Sequence, residues 1–329
     1  MAELSGPADW VVPEAGPGGE TGLFLRHVDG HCVFLLPDNR CAVHARWGGE
    51  AKPGFCQEFP YRRLRDPNGE VLVIRAECGG LHASHVDGDP LAAQTALASA
   101  LPTLRPTPEF RPEAVAILPG VGASLADWMA LERSLLACWE AVDADAAEPE
   151  DTARALARAA VQAVGRSLPP GRTALAADAV REAMRMVANA AIAQETPATE
   201  AWQRTLVRQT NLLFDRKIAR SAEGSDGARR LSEATKRYLH TLLGQAILGK
   251  HLVAAGGFVA MLGRFVFECD LVRSSAGSGQ VTPAEASAVL VPWLRFADNP
   301  MVLGMLRRAT PALLELAAPP ARDVPTIAP

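Results

Sequence analysis

The chain has 329 residues, which is enough for two domains or for one large domain. Hydrophobic residues make up 48% of it and charged residues 21%, a balance that excludes a globally disordered chain. The formal net charge is −4, so the totals give no electrostatic reason to expect binding to nucleic acid or to an anionic membrane.

The start of the chain and its most apolar stretch bear on the compartment. Residues 1–21 are acidic and rich in Gly and Pro, which predicts a flexible lead-in without the basic and apolar regions of a signal peptide. The most apolar window, Leu239 to Val272, is interrupted by charges and glycines, so it predicts buried helices instead of a membrane span. We therefore expect a cytoplasmic protein, in which clustered cysteines stay reduced.

Short β-like runs follow the lead-in. Leu23–Leu25 and Cys32–Leu36 are two of them, and Glu70–Arg75 is the clearest predicted strand. It comes after Asp66-Pro67-Asn68-Gly69, where Asn-Gly indicates a hairpin turn because both residues tolerate positive φ. These runs predict a small, irregular β-containing module over residues 22–86.

Beyond this module the sequence becomes helical in pattern. Residues 87–112 form a Pro-punctuated connector with one short helix, residues 113–318 are predicted to form an all-α domain, and 319–329 are a C-terminal tail. Ser124 is the predicted N-cap of a helix that reaches about Val142. Further helices are predicted over 150–167, 172–194, 198–220, 228–248, 251–272, 282–297 and 299–317. The predicted fold class is α+β, with the small module followed by a mainly α-helical domain.

Cysteines are concentrated in the module. Four of the six, Cys32, Cys41, Cys56 and Cys78, lie within 47 residues. A segment this small buries little apolar surface and often needs a metal, and thiolates suit zinc and iron–sulfur clusters. The spacing Cys-x8-Cys-x14-Cys-x21-Cys lacks the Cys-x2-Cys pair of common zinc fingers, so four unrelated buried thiols are the alternative.

The residues around these cysteines resemble a known family. The segments His31–Leu35, Arg40–His44 and Ala51–Pro60, followed by Cys78, are similar to the YkgJ-type cysteine-cluster family, which is described as a zinc- or iron-chelating domain. Its most specific element is Lys-Pro-x-x-Cys-x-x-Phe-Pro, which begins here at Lys52. The resemblance covers about residues 22–80 of the chain.

This resemblance implies a ligand set and an activity. It makes Cys32, Cys41, Cys56 and Cys78 the expected ligands of an iron–sulfur cluster or of zinc. Flagellin lysine-N-methylases carry a similar cluster before a long helical region, which implies methyl transfer from S-adenosylmethionine to lysines of a protein substrate. Family members usually carry an earlier cysteine-rich element, whereas this chain has no cysteine before Cys32. The site would then lack thiolates supplied upstream, or this member has lost that element.

Other candidate ligands and sites are weaker. His44 follows Cys41 in a Cys-x2-His pattern and is a candidate zinc ligand, with His82 and His85 behind it. Ala114–Trp128 contains a Gly-x-Gly before a predicted helix start, as in nucleotide- or S-adenosylmethionine-binding turns, but a simple loop fits it as well.

Two further features favour ordinary structure. Cys138 and Cys269 lie within helical patterns, where buried thiols are common. The basic stretch Arg204–Arg237 is typical of a solvated helix face, with a partner-binding surface as the alternative.

Three functions remain open from the sequence. The first is an iron–sulfur or metal protein with methylase-like activity on a protein substrate. The second is a zinc- or iron-stapled, non-enzymatic interaction module, whose metal would be fully ligated by protein. The third is metal storage or delivery. None of the three requires nucleic acid or a membrane as partner.

Overall fold

The structure is a computed structural model. It describes residues 10–15, 21–28, 31–36, 41–76, 78, 81–82, 109–168, 179–180, 182, 229–253, 257–274, 278–297 and 306–318. Two-stranded antiparallel ribbons combine with a larger set of packed helices, so the predicted α+β class is confirmed. None of the helices in these ranges is long and apolar enough to cross a membrane.

The first ribbon lies partly inside the predicted lead-in of residues 1–21. Strand β1 (Val11–Ala15) pairs antiparallel with β2 (Thr21–Leu25). Trp10, just before β1, packs edge-on against Phe34, with ring centroids 5.4 Å apart. The prediction of a flexible lead-in therefore does not hold for residues 10–15, because pairing with β2 and this aromatic contact fix them to the module.

The chain then folds through short elements. Strands β3 (His27–Val28) and β4 (His31–Cys32) form a second ribbon. The predicted strand Cys32–Leu36 ends at Cys32, because the Leu35 amide donates to the Cys32 carbonyl at 2.8 Å and closes a turn. After it come α1 (Ala42–Trp47), a 3₁₀ turn (Gly49–Ala51) and α2 (Gly54–Glu58).

A hairpin completes the module. Strand β5 (Tyr61–Asp66) pairs with β6 (Gly69–Ile74), which confirms the predicted strand over Glu70–Arg75 within one residue. Asp66 pairs directly with Gly69, so the loop is Pro67-Asn68 and not Asn-Gly as predicted. The Asn68 amide donates to Asp66 Oδ1 at 2.8 Å, an Asx turn that sets this alternative loop.

The segment predicted as all-α begins with a fourth two-stranded ribbon. Strands β7 (Ala114–Leu118) and β8 (Val121–Ser124) are antiparallel and lead directly into α3 (Leu125–Glu140). Ser124 Oγ accepts a hydrogen bond from the Asp127 amide at 3.2 Å, which confirms the predicted N-cap.

Within the described ranges, five more helices follow α3. They are α4 (Pro149–Ala163), α5 (Glu233–Leu248), α6 (Phe258–Arg273), α7 (Pro283–Ala297) and α8 (Thr310–Ala317), with 3₁₀ turns at His251–Val253 and Arg307–Ala309. Helix α6 is buried on almost every side, as a helix that is apolar all round must be, and α4, α7 and α8 pack against it. A Cβ placed on Gly263 of α6 would lie 1.8 Å from the Leu313 carbonyl oxygen, so these two backbones touch.

The β5–β6 hairpin is fixed to the helical domain by polar contacts. The Ile74 amide donates to Gln245 Oε1 of α5 at 2.9 Å. Asp66 Oδ2 lies 2.8 Å from the Lys250 ammonium just after α5. The predicted module and helical domain therefore share an interface that includes buried charge.

Several predictions fall on residues outside the described ranges. These are the short connector helix, the helices over 172–194 and 198–220 except for three residues, the ligand candidate His85, and the tail 319–329.

Candidate functional site

Three of the four predicted cysteine ligands line one cleft. Cys32, Cys41 and Cys56 surround a space of about 400 Å³ on the surface of the module. The other lining residues are Phe34, Leu35, Lys52, Glu58, Phe59, Tyr61 and Arg75. Thiols that are up to 24 residues apart in sequence thus face a common volume.

Backbone hydrogen bonds bring Cys32 and Cys41 together. Cys32 ends β4, and the turn after it carries Phe34 back beside the start of α1. The Ala42 amide donates to the Phe34 carbonyl at 2.7 Å, and Leu35 forms a β-bridge with Cys41. Cys41 is the N-cap residue of α1, but its side chain accepts no capping hydrogen bond, so its thiol is not committed to the helix end.

Cys56 is placed by the Lys-Pro element that carries the family resemblance. Pro53 precedes α2, and its carbonyl accepts from the Cys56 amide at 2.8 Å. Gln57 donates from its side chain to the carbonyls of Lys52 at 2.6 Å and Glu50 at 3.0 Å. These bonds close the loop before α2, and the Phe59–Pro60 peptide after it is cis. The turn of α2 that bears Cys56 is therefore held from the preceding loop.

The protonation of Cys32 is governed by its surroundings. Burial raises the pKa of the Cys32 thiol, a hydrogen bond with the Phe34 backbone lowers it, and the nearby Cys41 raises it. Two thiolates side by side would repel each other, so Cys32 favours its protonated form beside Cys41. Lys52 and Arg75 also line the cleft, and Glu58 is the carboxylate among its described lining residues.

Cys78 lies apart from this cleft. It is half-buried against the hydrophobic core of the helical domain, and it does not line the cleft. A charge on its sulfur would raise the pKa of Tyr238 in α5, which places the two side chains near each other. The Cys78 amide donates to the carbonyl of Arg75 at 3.0 Å, so only a short stretch of backbone separates Cys78 from a residue of the cleft.

The remaining candidate ligands are also elsewhere. His44 is exposed on α1 and His82 is half-buried, and neither lines the cleft. Cys138 is exposed on α3, contrary to the buried thiol expected there. Cys269 is buried in α6, where burial raises its pKa well above the ordinary value for a thiol.

The described residues do not form a compact set of ligands for a single metal ion. Within the described ranges, no group of three or more His, Cys, Asp or Glu side chains is close enough to hold one metal ion. A tetrahedral zinc ion with Zn–S bonds of about 2.3 Å needs sulfur atoms about 3.8 Å apart. The three cleft thiols are therefore not grouped, in this structure, as the ligands of one such ion.

The glycine-rich turn has a structural role. Gly120 adopts φ of 73° between β7 and β8, so Ala114–Trp128 forms a hairpin before α3 and not a strand–loop–helix turn. The amide at the start of α3 is taken by the Ser124 hydroxyl. A Cβ on Gly257 would lie 3.1 Å from the Ile117 carbonyl, so the hairpin packs tightly on the start of α6. This geometry favours the simple-loop alternative.

The described part of the basic stretch is engaged in ion pairs. Arg229 pairs with Glu285 at 2.9 Å, and Arg237 pairs with Asp145 at 2.6 Å. These contacts connect α5 and the segment just before it to other parts of the chain. They favour a structural role for this end of the stretch over a basic partner-binding face.

Two residues of the cleft were not anticipated from the sequence. Tyr61 and Arg75 stand at the open end of the β5–β6 hairpin, where the Arg75 amide donates to the Pro60 carbonyl at 2.7 Å. Prediction of β5 and its pairing with β6 would have placed both at this end of the hairpin. The charged sequence of β5, Tyr-Arg-Arg-Leu-Arg-Asp, lacks the alternation of apolar and polar residues that indicates a strand.

Comparisons with known proteins return no relatives. No protein-family model matches the chain, and no curated protein or solved structure is significantly similar to it.

Proposed function

We propose that the cleft lined by Cys32, Cys41 and Cys56 binds an iron–sulfur cluster, which makes this chain a cysteine-cluster metal protein. The observation that carries the proposal is the convergence of three cysteines, distant in sequence, on one space of about 400 Å³. Thiolate sulfur is the donor that iron–sulfur clusters and zinc both prefer.

The size of the cleft favours a cluster over a single zinc ion. In a cluster the thiolates ligate different iron atoms, so the cysteines surround a multi-atom core. The cleft of about 400 Å³ has room for such a core. When bound, a cluster supplies an electron-transfer or structural centre whose potential depends on its surroundings.

The residues of this chain have separate parts in such a site. Cys32, Cys41 and Cys56 would be the ligands. Lys52 and Arg75 would offset the negative charge that several thiolates bring into the cleft, because basic neighbours stabilise thiolates. Cys78 stays the predicted fourth ligand on the family resemblance.

The test is the metal content of the full-length protein purified without oxygen. We expect iron and acid-labile sulfide in matching amounts, with visible absorption from the cluster. Zinc near one equivalent without sulfide would instead support the stapled interaction module. Absence of both metals, after reconstitution with iron and sulfide has also failed, would refute the proposal.

Serine variants identify the ligands. The Cys56→Ser variant should contain much less iron than the wild type, because one thiolate ligand is removed. In such modules the metal-binding energy is also folding energy, so the variant should be less stable as well. The matched control is Cys138→Ser, which alters an exposed thiol on α3 and should keep the wild-type iron content. Equal iron in both variants would exclude the cleft as the site. The Cys78→Ser variant then decides whether Cys78 is a ligand.

Methyl transfer to protein lysines is the activity that the family resemblance implies. It becomes testable once the metal is known, by measuring binding of S-adenosylmethionine to the metal-loaded protein.

A further inference from the structure

A second cavity lies between the β5–β6 hairpin and the helical domain. Its volume is about 310 Å³, at the lower end of the range for small-molecule sites. Most of its wall is apolar and comes from α5, α6 and α7, through Leu242, Ala246, Met261, Phe265, Leu290 and Leu294. Within the described ranges it shares no lining residue with the cysteine cleft, so it is a separate space.

Two cations of this wall are held by carboxylates. The Lys250 ammonium lies 2.8 Å from Asp66 Oδ2 and is also bound by Glu132. Arg264 donates from Nε to Glu268 Oε1 at 2.7 Å, and both of these side chains are buried. Each ammonium or guanidinium group is therefore already compensated within the protein.

The cation on the hairpin side is engaged as well. An Arg62 guanidinium nitrogen lies 2.8 Å from His251 Nε2 across the interface with the helical domain. A charged ligand would have to break one of these contacts or bring an uncompensated charge into a mostly apolar space, and both are costly. The wall therefore favours a neutral ligand.

The amide side chain of Gln245 adds a hydrogen-bond donor to the wall. Gln245 Oε1 accepts a hydrogen bond from the Ile74 amide at 2.9 Å. Because a backbone amide only donates, this bond settles which end of the side-chain amide faces the hairpin. The NH₂ group lies at the other end, and it only donates. Gln245 lines the cavity, so the complementary group on a neutral ligand is an oxygen that accepts hydrogen bonds.

We propose that this cavity binds a compact, neutral and mainly apolar carbonyl compound, with its carbonyl oxygen at Gln245 Nε2 and its apolar body against α5, α6 and α7. The volume corresponds to about ten water-sized units at 30 Å³ each, which fits a small aryl ketone. This site goes beyond the proposed metal function and does not depend on it, because its described lining contains no cysteine.

The test is titration of the full-length protein with acetophenone, followed by ligand-observed NMR. Benzoate and benzamidinium are the matched analogues, since they share its shape but carry a negative and a positive charge. We expect saturable binding of acetophenone and binding of both ions that is weaker by about tenfold or more, because their charges lose hydration without gaining a partner. No saturable binding of acetophenone, or equal affinity for either ion, would overturn the proposal.

A variant of Gln245 tests the polar contact. Gln245→Glu keeps an oxygen for the Ile74 amide and replaces the NH₂ donor by a second oxygen, so acetophenone binding should weaken about tenfold. The matched control is Gln162→Glu, the same change on an exposed position of α4, which should bind like wild type. Equal affinity in these two variants would refute the assignment of the carbonyl to Gln245.

A second variant tests the apolar part of the site. Ala246→Phe should abolish acetophenone binding by filling the cavity from α5. Wild-type affinity in an Ala246→Phe protein that circular dichroism shows to be folded would place the ketone elsewhere and refute the site.

Discussion

Replacement of Lys250 by Met should strongly destabilise the fold. The Lys250 ammonium sits between two carboxylates, Asp66 on the hairpin and Glu132 on α3, and all three side chains are only 3% exposed. Lys250 also has φ of 59°, a left-handed conformation that non-glycine residues seldom adopt. Methionine keeps the length and the backbone cost of lysine, so the change isolates the charge.

The magnitude follows from the two carboxylates that remain. Removal of one partner from a buried ion pair costs about 3–5 kcal/mol, because the other charge is left buried. Burial already raises the pKa of Glu132, and hydrogen bonding and charge from Lys250 hold it down. Without Lys250, Glu132 can take up a proton, which leaves Asp66 as the uncompensated ion. We therefore expect a loss of about 3–5 kcal/mol in unfolding free energy, not twice that amount.

The assay is urea unfolding followed by circular dichroism, with midpoint and slope both fitted. The control is the double variant Asp66→Asn/Lys250→Met, which removes the stranded charge and keeps a side chain that can accept from the Asn68 amide. It should be more stable than Lys250→Met alone, giving a favourable coupling in a double-mutant cycle. A loss under about 1 kcal/mol for Lys250→Met, or strictly additive effects, would refute the claim that this ion cluster is coupled.

Two further predictions concern the helical domain. Gly263→Ala should destabilise the protein by several kcal/mol, because its Cβ would lie 1.8 Å from the Leu313 backbone. The control is Gly122→Ala, whose Cβ would make ordinary contacts at 3.6 Å and which should cost about 1 kcal/mol or less. Equal urea midpoints for the two variants would contradict the close approach of α6 and α8. Glu132→Gln should change how stability depends on pH. Because the folded pKa of Glu132 is raised above about 4.5, the folded state holds the extra proton in that window and wild-type stability falls as pH rises through it. The variant should therefore gain stability relative to wild type between pH 4.5 and neutrality, and a constant difference in urea midpoints across that range would exclude the raised pKa.

Local signals in the sequence predicted much of the fold. The Ser124 cap, the helix over 282–297 and the buried helices between Leu239 and Val272 depend on spacing and end residues that lie within one segment. The predicted strand at Glu70–Arg75 succeeded for the same reason, since alternation is local. For the cleft, spacing and resemblance named the three cysteines that the structure brings together.

Non-local contacts explain what the sequence could not predict. Strand β5 has a polar sequence because its side chains bind distant residues. Arg62 contacts His251, and Asp66 pairs with Lys250. The position of Cys78 depends on how the helical core packs against the end of the hairpin, which cysteine spacing does not encode. Strand β1 forms within a Gly/Pro-rich stretch because β2 offers it an edge, and propensity alone does not indicate this pairing.

The same long-range contacts set an order of events during synthesis. Arg62 and His251 are 189 residues apart, so a ribosome adding 5–20 residues per second makes the histidine roughly 10–40 s after the arginine. Through part of that interval the β5–β6 hairpin lacks the contacts with α5 and Lys250 that it makes in the folded protein. Its charged strand, Tyr-Arg-Arg-Leu-Arg-Asp, discourages edge-to-edge association of nascent chains. The charged side chains that later bind the hairpin to the helices thus also reduce its aggregation before those helices are made.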